Sequence, residues 1–210
     1  MYKKMEDKDL TKLLEAGIDE FSKKGLDKAN INTIALKADY SVGVIYKYYK
    51  NKDNFFLACV EHSLKLLDNV MKEVLMQEED IVGCISLLLD KLFTESDNHA
   101  NYYVMYNEIT SQSCRKYATE LAEKIETGTA DIYAQIFTRA QDKGQIKKDA
   151  DPRMCAFYFD SLLMMLQFGS SCEYYNKRMR IFCGDDVFDD YDRTKESFIQ
   201  FVGGALGLNV

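Results

Sequence analysis

Apolar residues recur along this chain at three- and four-residue steps almost from its start. Leu10, Leu13, Leu14, Gly17, Ile18 and Phe21 form one stripe, which predicts an amphipathic helix ending at Gly25. Asn30, a good N-cap type, precedes Ile31, Ile34, Ala35 and Ala38, the pattern of a short second helix. Asp39-Tyr40-Ser41 reads as a turn. Ser41 can cap a third short helix, in which Ile45 and Tyr49 share a face. Asn51 can cap a fourth, starting at Lys52 and carrying Phe55, Phe56, Cys59, Val60, Leu67, Val70 and Val74. Further helices are expected near residues 80–96, 99–110, 113–143, 152–180 and 192–206, with Gly144 as a C-cap and Pro152 at a helix start. No segment keeps the strand period for long, and no repeat or low-complexity tract is visible.

Composition supports the helical reading. The chain has a single proline, the residue that removes a backbone donor and clashes inside a helix. The expected fold is all-α: an N-terminal three-helix domain over residues 1–55, then a larger C-terminal helical domain over 56–210. The net charge of -7 argues at first against a nucleic-acid partner, but its distribution matters more. Residues 1–55 hold eleven lysines against nine acidic residues, a net of +2; the remainder holds 16 basic and 25 acidic residues, a net of -9. A mildly basic head on an acidic body can bind phosphate if its lysines share a face; a salt-bridged helix face gives the same count.

The start, Met1 to Asp7, lacks the apolar core of a signal peptide, and the run Leu162–Leu166 is too short to span a bilayer. The expected location is cytoplasmic, with no membrane partner. Six scattered cysteines with no C-x-x-C pair suit buried thiols better than disulfides.

Two short helices joined by a three-residue turn, with a longer helix on each side, make a helix-turn-helix. A helix fits the DNA major groove, and its N-terminal side chains meet base edges. If Ile45 and Tyr49 face inward, Val42, Gly43, Tyr46 and Lys47 are left outside. Lys47 can reach a guanine edge or a phosphate, and Tyr46 and Tyr48 offer hydroxyls to phosphates. Lys52, on the first turn of the fourth helix, sits where backbone N–H groups also favour a phosphate. On periodicity alone, a packed helical head explains the same residues.

These residues resemble the TetR (tetracycline repressor) family. Ala16, Phe21 and Gly25 match its first-helix signature. Ile34-Ala35, Ala38, Ser41, Gly43, Ile45-Tyr46, Tyr48-Tyr49 and Lys52-Asp53 match in order and spacing. The resemblance implies a two-fold homodimer reading a pseudo-palindromic double-stranded operator. Carried over by position, it places Val42, Gly43, Tyr46, Lys47 and Tyr48 on the recognition helix, and Val44 and Lys52 at the DNA backbone. Asn30, Asn32 and Thr33 would contact DNA from the start of the second helix. Asp39 stands where the family has glycine, Tyr40 where it has a smaller apolar residue, and Val44 where it has threonine, so one hydroxyl–phosphate contact is missing.

In the body, Tyr102, Met105, Tyr106, Tyr133, Phe137, Tyr158, Met165 and Phe168 are candidates for an effector pocket taking a small apolar or aromatic molecule. Taken singly, each is better explained as ordinary core; the pocket is what the resemblance implies. Phe159, Leu162, Leu163 and Leu166 form one stripe and Phe198, Phe201 and Val202 another, expected at the dimer interface or in each subunit's own core. His62 and His99 lack partner clusters, and Asp185, Asp186, Asp189 and Asp190 lack calcium-loop spacing, so no metal and no cofactor are expected. With no nucleophile–His–acid set or phosphate loop, an enzyme is not expected. The expected function is a transcriptional repressor released by a small effector. The alternative is a DNA-binding dimer controlled by a protein partner or by abundance.

Overall fold

A computed structural model of the chain describes residues 6–77 and 80–208. Met1–Met5, part of the stretch read for a signal peptide, lie outside the described residues, as does the side chain of Leu67. The described residues form α1 (Asp7–Lys28), α2 (Ile31–Ala38), α3 (Val42–Tyr49), α4 (Lys52–Gln77), α5 (Ile81–Asn98) and α6 (Ala100–Glu108). A 3-10 turn (Gln112–Tyr117) then leads to α7 (Ala118–Asp142), α8 (Pro152–Ser171), α9 (Glu173–Cys183) and α10 (Tyr191–Leu206). Among the described residues there is no strand. Two compact units result. The head unit runs to Leu66 and takes in Asn101–Thr119; the body unit holds Leu67–Ala100 and the chain from Glu120 onward. Compactness therefore divides the chain elsewhere than at residue 55.

The head forms where the first stripe meets α4. Leu13, Leu14, Ile18 and Phe21 are buried on α1, and Phe55, Phe56, Cys59 and Val60 on α4. Each such side chain removed from water stabilises by about 1.5–3 kcal/mol. The rings of Phe21 and Phe56 meet edge-on at 5.2 Å, and Tyr49 of α3 packs on Phe55 at 4.9 Å. Gly17 permits the close crossing of α1 and α4. A Cβ there would lie 2.6 Å from Cys59 Sγ and 2.8 Å from the Phe55 ring. The first helix does not end at Gly25 as its stripe suggests. Gly25 takes φ 71°, ψ 168°, a kink, and a further turn reaches Lys28. The reason lies far away in sequence: the Leu26 N–H donates to Glu108 Oε1 at 3.1 Å, replacing a helix carbonyl, while the Leu26 side chain is buried.

The body has its own core, drawn from the later part of α4 and from α5, α7, α8 and α10. Phe159 sits in its middle, edge-on to Tyr133 at 5.5 Å and to Phe137 at 5.7 Å, with Phe198 at 6.0 Å. Phe93 of α5 stacks on Tyr191 of α10 at 4.5 Å. The single helix expected over 152–180 divides at Cys172, which is extended (φ -110°, ψ 125°). Gly169-Ser170-Ser171 are weak helix formers, and the Asn176 amide donates to the freed Gly169 carbonyl at 2.9 Å. The start of α8 follows expectation: Asp151 accepts from the Arg153 and Met154 N–H groups, with Pro152 in the first turn.

The residues expected at the dimer interface or in the chain's own core divide between core and surface. Phe159 and Leu163 on α8 and Val202 on α10 are buried in the chain's own core, while Leu162, Leu166 and Phe198 are half-buried beside it. The outward apolar stripe of α8 is instead Met154, Phe157, Tyr158 and Met165, and Phe201 of α10 is 67 % exposed. Both faces of α8 are apolar, so spacing alone does not tell inner from outer.

Candidate nucleic-acid interface

The candidate interface is built by local polar contacts at both helix starts. Asn30 Oδ1 accepts the Asn32 N–H at 2.9 Å and so caps α2, while the Asn30 N–H donates to Glu20 Oε1 at 3.1 Å. Ile31, Ile34, Ala35 and Ala38 turn inward, leaving Asn32, Thr33 and Leu36 outside. The helix stops at Asp39, which adopts the left-handed conformation (φ 63°, ψ 42°) that a glycine would take without strain. The Tyr40 N–H then closes on the Ala35 carbonyl at 2.8 Å. Ser41 Oγ accepts the Val44 N–H at 3.3 Å and starts α3.

Ile45 is the one fully buried residue of α3, and Tyr49 is half-buried against Phe55. Gly43, Tyr46, Lys47 and Tyr48 are exposed, while Val42 and Val44 are half-buried. Asn30, Asn32 and Thr33 are exposed at the start of α2. Nine of the ten expected contact residues thus lie on α2 and α3 or at their caps. The tenth, Lys52, has another task. Its ammonium donates to the Asp27 carbonyl at 2.9 Å and to Ala29 at 3.4 Å, at the C-terminal end of α1, where freed carbonyls favour a cation.

Other polar contacts of the head escaped the sequence reading, because their partners are distant along the chain. Lys37 of α2 pairs with Asp19 of α1. Asp53, in the first turn of α4, accepts from Lys116 and from the Tyr117 hydroxyl, the latter at 2.7 Å. The Lys116 hydrogen bond, then that of Tyr117, holds the Asp53 carboxyl below its ordinary value. A ring nitrogen of His62, read as an ordinary polar residue, lies 3.0 Å from Glu15 Oε1. The Tyr102 hydroxyl donates to the same oxygen.

The expected effector residues have several fates. In the head unit Tyr102 is engaged with Glu15, Met105 is fully buried and Tyr106 is half-buried. In the body, Tyr133 and Phe137 pack on Phe159, and Phe168 packs on Tyr175 at 5.4 Å. Tyr158 and Met165 are corrected to the surface, at 59 % and 41 % exposure, because they lie on the outer face of α8. An open groove of about 800 Å³ lies between α7 and the start of α8, lined by Asp131, Arg139 and Arg153 among others. A second, of about 340 Å³, runs along α9 past Tyr174, Arg178 and Phe182. Neither is lined by any of the eight expected residues. The acidic loop before α10 is held by its own chain: Asp186 pairs with Arg193 at 2.8 Å, and Asp190 caps the helix through the Arg193 N–H. Among the described residues no helix is long and apolar enough to cross a membrane, and no three metal-binding side chains gather.

The family model for bacterial regulatory proteins of the tetR family matches residues 13–59, the span from α1 into α4. The HTH-type transcriptional regulator YvdT of Bacillus subtilis is 33% identical over 94 residues, covering 45% of this chain. That match spans 48% of YvdT, about half the length of the relative. The fatty acid metabolism regulator protein of the same organism is 23% identical over 145 residues, 68% of this chain and 73% of the relative. In fold, the chain is similar to the transcriptional regulator FadR from Bacillus subtilis in complex with stearoyl-CoA. There the TM-score is 0.71 at 17% identity, over 92% of this chain and 97% of that one.

Proposed function

The chain belongs to the tetR family of bacterial regulatory proteins, and from that premise we propose that it is an operator-binding transcriptional repressor acting as a two-fold dimer. The observation that carries this is the outer face of α3. A Ser41-capped helix anchored by Ile45 leaves Gly43, Tyr46, Lys47 and Tyr48 exposed, with Asn30, Asn32 and Thr33 exposed at the start of α2. Lys47 and Tyr46 read base edges or phosphates, Tyr48 and the α2 residues meet the DNA backbone, and Gly43 lets backbone approach backbone. The relatives are named as regulators, which agrees with the expectation that this chain is not an enzyme.

The dimer forms through the outer faces of α8 and α10. Exposed Phe157, Tyr158, Met165 and Phe201 supply an apolar surface of the kind that two-fold partners bury. The two recognition helices must then stand about 34–36 Å apart to enter successive major grooves. An effector that prefers a body conformation with a different spacing weakens operator binding, by about 5–150-fold for typical couplings. The FadR complex makes stearoyl-CoA the first probe to try. A body without an effector, controlled by a partner or by abundance, is favoured by the packing of Tyr133, Phe137 and Phe168 into aromatic contacts.

The test is a salt-dependent gel shift on a duplex that the purified chain selects from a random-sequence pool. Lys47→Ala is expected to weaken binding about 5–150-fold, the range of one base or phosphate contact, while leaving the dimer intact. Full affinity in that variant would remove Lys47 from the interface. Stearoyl-CoA is then titrated into the complex: release supports the effector reading, and indifference supports the alternative.

A further inference from the structure

Segment Asn101–Thr119 packs in the same compact unit as α1, α2 and α3, although it lies more than fifty residues beyond α3 in sequence. Carboxylates bind it there at three places. Glu108, at the end of α6, accepts the Leu26 N–H at 3.1 Å, just after the Gly25 kink, and is itself held by the Ser111 and Ser113 hydroxyls at 3.1 and 2.9 Å. Asp53 accepts from both Lys116 and Tyr117 of the 3-10 turn. Glu15, midway along α1, accepts the Tyr102 hydroxyl, with a His62 ring nitrogen 3.0 Å away.

The first two attachments have a particular placement. Leu26 and Asp53 flank residues 27–52, which comprise α2, the turn and α3. One segment therefore holds both ends of the helix-turn-helix. None of its gripping residues belongs to the exposed face of α3. The Leu26 N–H is also freed from helical bonding by the kink, so Glu108 supplies an acceptor that the helix itself lacks.

We propose that Asn101–Thr119 is a brace that positions the helix-turn-helix for its groove, with Glu108 and the Lys116–Tyr117 pair holding its two ends. Glu108, Lys116 and Tyr117 are positioning residues of the interface, without touching DNA. This rests on the DNA-binding reading above.

The experiment uses the full chain and the duplex selected by the wild type. Glu108→Gln weakens the grip at Leu26, and the double variant Lys116→Met/Tyr117→Phe removes both donors to Asp53. Each is expected to lower affinity about 2- to 30-fold, the range for residues that modulate coupling without ligand contact. The slope of log K against log salt should stay at its wild-type value, since no phosphate contact is lost. Amides of residues 101–117 should exchange more slowly when the wild type binds the duplex, and this slowing should shrink in the variants. If Glu108→Gln fails to fold, the double variant carries the test, because Lys116 is exposed. Unchanged affinity in the double variant, or amide exchange indifferent to DNA, overturns the brace alone. A wild type that selects no duplex overturns the DNA-binding reading, and the brace with it.

Discussion

Helix α3 of the head and helix α8 of the body use their residues in opposite ways. Helix α3 buries Ile45 alone and shows polar groups and tyrosines outward. Helix α8 buries Ala156, Phe159, Leu163 and Phe168 on one face and leaves Phe157 64 % exposed on the other. The outer face of the first suits a hydrated, charged polymer. That of the second suits another protein surface, where aromatic side chains carry most of the binding energy. The contrast also concerns inference. A helix with one apolar face declares its orientation by spacing, and a helix with two does not.

The largest effect that tests this contrast is in the body core. Phe159→Ala is expected to cost about 3–5 kcal/mol in denaturant unfolding, as truncation of a fully packed ring does. Phe157→Ala, one residue away on the outer face, should instead shift the monomer–dimer equilibrium measured by light scattering. Equal stability losses at both positions would erase the inner–outer assignment.

Next comes a carboxyl on the same helix. Asp160 is pushed up to about 6 by burial and, after that, by Glu126 on α7. Its folded value lies above its ordinary one, so ionisation opposes folding; the cost begins near the ordinary value of 3.8 and is complete above about 6. Asp160→Asn should therefore raise stability by about 1–3 kcal/mol at pH 8, and by almost nothing near pH 4. A gain independent of pH would show that charge is not the cause.

In the head, Gly17→Ala puts a methyl group 2.6 Å from Cys59 Sγ. The expected loss is about 1–3 kcal/mol in thermal unfolding, the range for overpacking a dense contact. A neutral outcome would mean that α1 and α4 can separate without cost.

The smallest effect is at the turn. Asp39 holds φ 63° without being glycine, so Asp39→Gly should stabilise by up to about 1 kcal/mol, relief of left-handed strain exceeding the added chain entropy. A lower melting temperature would mean that the Asp39 side chain supports the turn in some other way.

Much of the head was legible in sequence because its signals are local. Caps at Asn30, Ser41 and Asn51 act within three residues, and the Ile34–Ala38 and Ile45–Tyr49 spacings each point to one face. The resemblance to the TetR family rests on those same positions. The contacts of Lys52 were not legible because its partners, the Asp27 and Ala29 carbonyls, become neighbours only when α1 meets α4. The Glu108–Leu26 contact spans 82 residues and carries no periodicity. Whether the expected effector residues line a cavity was not legible for a related reason. Met and aromatic stripes mark burial but do not distinguish a cavity from a filled core, and Tyr158 and Met165 lay on a face that only packing could orient.

By itself, the order of residues determined most of the helices, several of their starts and the helix-turn-helix, since capping and amphipathic periodicity act over one or two turns of chain. Tertiary structure alone decided which face of α8 lies inward, where α1 kinks, and that Asn101–Thr119 joins the head. Those outcomes depend on side chains that meet across long loops, and such meetings are set by the competition among all apolar faces for one core.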